Sequence, residues 1–185
     1  MVGFDLSLDT ATGWVNNIIH KPSQNYNQRP DKSDLSLLVI HCISLPEGSF
    51  VGNEIIDFFQ NQLDISKHQS FQALKDVKVS AHFLIRRSGE VIQFVSIYDR
   101  AWHAGVSSFQ GRGNCNDYSI GIELEGADYL PYEPLQYAAL IKLTNLLINH
   151  TIINKNRIVA HSEIAPKRKT DPGKYFDWGY YLGCL

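Results

Sequence analysis

Short apolar runs of strand length alternate with stretches of helical spacing along this chain, and that alternation limits the folds open to it. Leu35 to Ile43 (LSLLVIHCI) is a short apolar, β-branched run and reads as a buried strand. Leu45-Pro46-Glu47-Gly48 is a turn signal. Asn53 to Leu63 has apolar residues at Ile55, Ile56, Phe59 and Leu63, close to helical spacing, with Asn53 as candidate cap. Ala81 to Arg86 and Val91 to Val95 are strand-like, and Ser88-Gly89 between them suits a hairpin turn. Ser119 to Glu125 (SIGIELE) alternates apolar and non-apolar residues, the pattern of a half-buried strand. Pro134 to His150 is the longest helical pattern, with Pro134 suited to a first turn. Arg157 to Ala160 reads as a short strand, and the HSEIAPKRKTDPGKYFDWGYY that follows reads as a loop. Residues 1–34 are polar and read as an extended lead-in, while 64–78 show no clear periodicity. The expectation is an α/β (α+β) chain with a central mixed β-sheet flanked by helices.

At 185 residues the simplest organisation is one domain over 1–185. Such a chain buries roughly two-thirds of its unfolded surface and needs no disulfide or metal merely to fold. A net charge of −2 argues against a nucleic-acid partner. No apolar run approaches bilayer length, which argues against a membrane partner. The N-terminus MVGFDLSLDTATGWVNN lacks a basic start and an apolar stretch, so a cytoplasmic location is expected. The three widely spaced cysteines, Cys42, Cys115 and Cys184, fit a reducing compartment.

Two of the seven histidines sit where strands end: His41 near the end of the first buried strand, and His161 directly after the last. Asp171 follows ten residues after His161. Two His and a carboxylate are a recurring catalytic zinc set with a fourth position for water. Residue type leaves the alternative open that each His is structural. Glu123 shares one strand face with Gly121 and Glu125. That face is either solvated or lines a polar cleft, where a glutamate can act as general base. Lys169, two before Asp171, either stabilises an oxyanion or belongs to a solvated stretch, Lys167-Arg168-Lys169. Cys42 neighbours His41, but adjacent strand residues face opposite sides, so the two do not form a nucleophile–base pair. Trp102-His103-Ala104-Gly105 suits a sugar- or peptide-binding wall and equally suits loop packing.

SAHFLIRRSGEVIQFV, RAWHAGVSSFQGRG, CNDYSIGIELEG and VAHSEIAPKRKTDPG, in that order, closely resemble the AmpD-type 1,6-anhydro-N-acetylmuramoyl-L-alanine amidases. The resemblance runs from about Leu37 to Tyr175, marking 37–175 as the core of one amidase domain with 1–34 as an N-terminal extension. It implies that His41, His161 and Asp171 bind Zn2+, that Glu123 and Lys169 are catalytic, and that Trp102 borders the substrate cleft. The implied reaction is zinc-dependent hydrolysis of the amide between (1,6-anhydro-)N-acetylmuramic acid and L-alanine, in cytoplasmic peptidoglycan recycling. The implied partner is a small muropeptide substrate, with no obligate protein partner. Two other readings stand beside it: an amidase acting on intact wall polymer, and a non-catalytic peptidoglycan-binding module. Close relatives carry Asn where this chain has Cys42, and charged or basic residues where it has Asn114. Those departures bear on stem-peptide recognition and leave the implied ligands untouched.

Overall fold

The computed structural model describes residues 5–185. Its centre is a six-stranded mixed sheet, as the interleaved pattern predicts. The strands are β1 (Ile19–His20), β2 (Leu37–Ile43), β3 (Phe83–Ile85), β4 (Val91–Gln93), β5 (Ser119–Glu125) and β6 (Ile158–Ala160). Their spatial order is β6-β2-β5-β3-β4-β1. β6, β2, β5 and β3 run parallel, β4 is antiparallel to β3, and β1 is parallel to β4. Helices α1 (Glu54–Phe59), α2 (Pro134–His150), α3 (His161–Ile164) and α4 (Trp178–Gly183) surround it. Among the described residues no helix is long and apolar enough to cross a membrane.

Strand alternation splits the core into two layers. Leu38 and Ile40 of β2 and Ile120, Ile122 and Leu124 of β5 pack against Leu140, Leu143 and Leu147 of α2. Leu37 and Val39 face the other way and pack with Ala104, Cys115, Tyr118, Val159 and Ile164. β5 is therefore buried along its whole length, not half-buried. The loop between β4 and β5 covers the face that solvent was expected to cover. At the start of α2, the Glu133 N–H donates to Gln136 Oε1 at 3.1 Å, which satisfies one free donor of the first turn. The Gln136 amide donates in turn to the Glu125 carbonyl at 3.0 Å, tying the helix start to the end of β5.

Three expectations are corrected. The lead-in is not simply extended: Ser7–Asp9 and Trp14–Asn16 form a ribbon, and β1 adds an edge strand beside β4. Residues 1–4 of that stretch lie outside the described residues. The helix expected to Leu63 stops at Phe59, because Asn61 turns to φ +60°, the left-handed region that ends helices. Asn53 precedes that helix, but its side chain accepts from Arg86 at 2.7 Å and does not cap it. The expected C-terminal loop contains α3 and α4, whose Ile164 and Tyr181 reach the core.

Leu140 sits at 0 % exposure between α2 and the sheet. Leu140→Ala is expected to lower unfolding free energy by about 2–5 kcal/mol, the range for truncating a fully buried leucine. Urea denaturation measures it, and a loss under 1 kcal/mol would show that this layer collapses around the gap.

Candidate active site

The parallel register puts the chemistry in one row. Glu123 on β5 pairs with His41 on β2, and on the other side Ala160 pairs with Ile40. His161, the next residue after Ala160, therefore comes level with His41. All three stand at the carboxyl ends of parallel strands, where open α/β sheets place their ligands. Asp171 arrives on the turn after α3, held by a hydrogen bond from the Ser162 N–H to the Asp171 carbonyl at 3.0 Å.

The structure brings the three expected ligands together. His41 Nδ1 lies 2.9 Å from His161 Nδ1 and 3.3 Å from Asp171 Oδ2, and His161 Nδ1 lies 3.0 Å from the same oxygen. Ligands on a tetrahedral metal at 2.0–2.1 Å are about 3.3 Å apart, so this triangle needs little adjustment to take one. The opposite ring nitrogens are engaged elsewhere. His161 Nε2 faces the Ala104 carbonyl at 3.3 Å, and His41 Nε2 faces His103 Nδ1 at 2.9 Å. These residues can hold a metal ion, and the chemistry of the donor set fits one with a position left open.

Burial lowers the His41 pKa to about 4, against the raising effect of Asp171, so the ring is neutral at physiological pH as a ligand must be. Burial pushes the Asp171 carboxyl up, but the imidazoles of His161 and His41 more than offset this and hold it well below the usual carboxylate range. Glu123 is shifted the other way. Burial and the negative charge of Asp171 raise its pKa well above the ordinary value, against the pull of Lys169. Among the described residues its Oε2 is buried without a hydrogen-bond partner. Two carboxylates with oppositely shifted affinities in one site are a recurring mark of acid–base chemistry.

A cleft of about 400 Å³ opens beside this row, with Cys42, Glu47, Asp128, Lys169 and Asp171 among its walls. The basic stretch divides. Lys167 and Arg168 are both exposed, and Arg168 also donates to the Ala104 and Val106 carbonyls at 2.7 and 3.0 Å. Lys169 lines the cleft. Cys42 packs with the helix-side layer, away from His41, and burial pushes its thiol up to about 12. It is therefore a thiol, not a thiolate nucleophile, at neutral pH. The Trp102 indole N–H donates to Asn27 Oδ1 at 2.7 Å. His103, which the motif reading passes over for Trp102, is the residue in contact with His41. Its signal was its place in the same loop, one residue on.

A family model described as N-acetylmuramoyl-L-alanine amidase matches residues 31–174. The Haemophilus influenzae 1,6-anhydro-N-acetylmuramyl-L-alanine amidase AmpD is 49% identical, over 96% of this chain and 97% of its own. The Escherichia coli AmpD is also 49% identical, over 91% and 92%. Among solved structures, a selenomethionine AmpD derivative superposes with a TM-score of 0.92 at 49% identity, covering 96% of this chain and 98% of its own. E. coli AmiD, solved with the substrate anhydro-N-acetylmuramic acid-L-Ala-D-gamma-Glu-L-Lys, gives 0.62 at 29% identity, covering 97% and 65%.

The raised Glu123 pKa has a sign that can be checked. A buried acid with a raised pKa keeps its proton in the folded chain after the unfolded chain has lost it. Stability then falls as pH rises from about 4.3, the unfolded glutamate value, towards the folded one, and stays lower above it. Glu123→Gln removes that loss. In chelator-treated protein the variant is expected to melt higher than wild type at pH 7–8, with the gap closing towards pH 4. A variant that melts lower throughout, by differential scanning fluorimetry, would refute the raised value.

Proposed function

This chain belongs to the N-acetylmuramoyl-L-alanine amidase family, and from that membership we propose that it hydrolyses the amide between 1,6-anhydro-N-acetylmuramic acid and the L-alanine of a stem peptide. One observation carries the reading: three metal-donor atoms, 2.9–3.3 Å apart, meet beside a buried Glu123 with a free oxygen. Its support from relatives is the near full-length similarity to anhydromuramyl amidases.

In this reading His41, His161 and Asp171 hold Zn2+. When bound, zinc supplies a water pKa lowered to about 7 and Lewis acidity towards the amide carbonyl. Glu123 accepts the proton of the attacking water through its free carboxylate oxygen and returns it to the departing alanine amine. Its raised proton affinity suits both halves of that exchange. Lys169, on the cleft wall, sets a positive charge against the oxyanion that develops. Trp102 borders the substrate cleft in this reading. With its indole on Asn27, it anchors the segment carrying His103 and Ala104. Soluble muropeptides of the cytoplasm are the assigned substrate pool, and the three unbridged cysteines support that compartment.

Glu123→Ala is expected to keep stoichiometric zinc by elemental analysis while losing about 10²–10⁴-fold in turnover. Full activity with zinc in place would remove the role. Lys169→Ala is expected to lower kcat by about 10²–10³-fold with zinc retained, the usual cost of one oxyanion donor. Turnover should be faster on soluble anhydromuropeptides than on intact sacculi. The reverse order would make this a wall-cleaving amidase.

A further inference from the structure

We propose that His103 is a positioning residue for the metal centre: through a one-way hydrogen-bond chain from Ser119 it keeps the His41 proton on Nε2 and so leaves Nδ1 free to bind the metal. The inference rests on the metal reading given above.

The direction of the chain follows from where it ends. The Cys115 carbonyl can only accept, and Ser119 Oγ lies 2.6 Å from it, so the serine hydroxyl donates there. Its single proton is then committed, and Ser119 Oγ must accept from His103 Nε2, 3.2 Å away. With its proton on Nε2, His103 presents a bare Nδ1, and this nitrogen lies 2.9 Å from His41 Nε2. The His41 proton therefore sits on Nε2. Its Nδ1 lone pair points at His161 and Asp171, which is the tautomer a metal ligand at that nitrogen needs.

The surroundings hold His103 in this pose. Its backbone N–H and that of Ala104 both donate to Asn116 Oδ1, at 3.1 and 2.7 Å. Its ring meets His41 edge-on at 89°, with centroids 5.0 Å apart. It also lies flush against β5 at Gly121, where an added Cβ would come within 2.5 Å of the ring atoms Cγ and Nδ1. The site face of β5 thus reads as a series: Ser119 accepts the hydrogen bond from His103, Gly121 makes room for the ring, and Glu123 faces the metal site. Among the described residues the partner of His41 Nε2 is an imidazole and not a carboxylate. A neutral imidazole does the orienting at Nε2.

The test is zinc affinity, measured by competition with a chromogenic chelator, with thermal stability recorded alongside. His103→Phe keeps an aromatic ring against Gly121 and removes the acceptor. It is expected to weaken zinc binding about 10–100-fold, the usual effect of losing a ligand's hydrogen-bond partner. His103→Asn, whose Oδ1 falls near the lost Nδ1, is expected to recover most of that affinity. Ser119→Ala, which unfixes the His103 proton with little change in volume, is expected to fall between wild type and His103→Phe. It carries the test alone if the Phe variant does not fold. Cobalt substitution should show altered d–d absorption in His103→Phe and near wild-type absorption in His103→Asn. Wild-type zinc affinity in both His103→Phe and Ser119→Ala, or in Ser119→Ala alone where the Phe variant does not fold, would overturn the inference, whatever the melting temperatures. A wild-type protein that bound no zinc would overturn the metal reading itself and the relay with it.

Discussion

The pairing register between the two central parallel strands is the constraint on which the rest depends. Glu123 stands opposite His41 because Ser119 stands opposite Leu37, seven paired positions in one ladder. A slip of one residue would send Glu123 into the apolar layer beneath α2 and bring Ile122 or Leu124 into the site. What forbids the slip is the helix side, where Ile120, Ile122 and Leu124 fill the space under Leu140 and Leu143. The apolar alternation of β5 thus does two jobs. It secures the core, and it sets the face on which the polar residues must line up.

Those polar residues work against the core that positions them. Glu123 is buried, carries an unpartnered oxygen and lies near the negative charge of Asp171. Burying such a group costs stability unless something pairs with it. The same conditions raise its proton affinity, the direction that proton exchange in a buried site calls for. Two imidazoles and one carboxylate complete a donor set that fits a cation, and a bound metal would relieve part of the cost. Binding to the folded state alone would then raise apparent stability in proportion to the logarithm of metal concentration over Kd.

Much of this was legible in the sequence where a residue's role is written locally. LSLLVIHCI gave a strand with His41 near its end, SIGIELE gave β5 with its limits, and Pro134 to His150 gave α2. Residue types alone could not say that His41, His161 and Asp171 meet, because His41 and His161 are 120 positions apart and only the sheet order joins them. The resemblance in HSEIAPKRKTDPG supplied what spacing could not. Hidden throughout was everything decided across the fold. The covering of β5 by the 102–118 loop made a half-buried pattern fully buried. Arg168, though exposed, reaches two loop carbonyls, and Trp102 turned to Asn27 while its neighbour His103 turned to His41. A motif places a loop near a site, but which of its side chains faces inward depends on partners far away in the chain.

β5 also governs the place of Asp171, though that residue lies on another segment. The chain leaving β5 turns at Gly126 and runs past Asp128 to Tyr132, and this stretch seats the turn that carries Asp171. Thr170 Oγ1 donates to Asp128 Oδ2 at 2.5 Å, and the Tyr132 hydroxyl donates to the Pro172 carbonyl at 2.8 Å. Gly173, at φ +87°, lies so close to Asp128 that a Cβ would come 2.0 Å from its carbonyl oxygen. Only glycine tolerates both that backbone angle and that approach. The residues before, beside and after Asp171 are therefore fixed to the loop that continues from Glu123. Since Glu123 is itself fixed opposite His41, the placement of Glu123 relative to His41 and Asp171 is set by one strand and its exit. Asp128, Lys169 and Asp171 share the cleft wall that this exit segment builds.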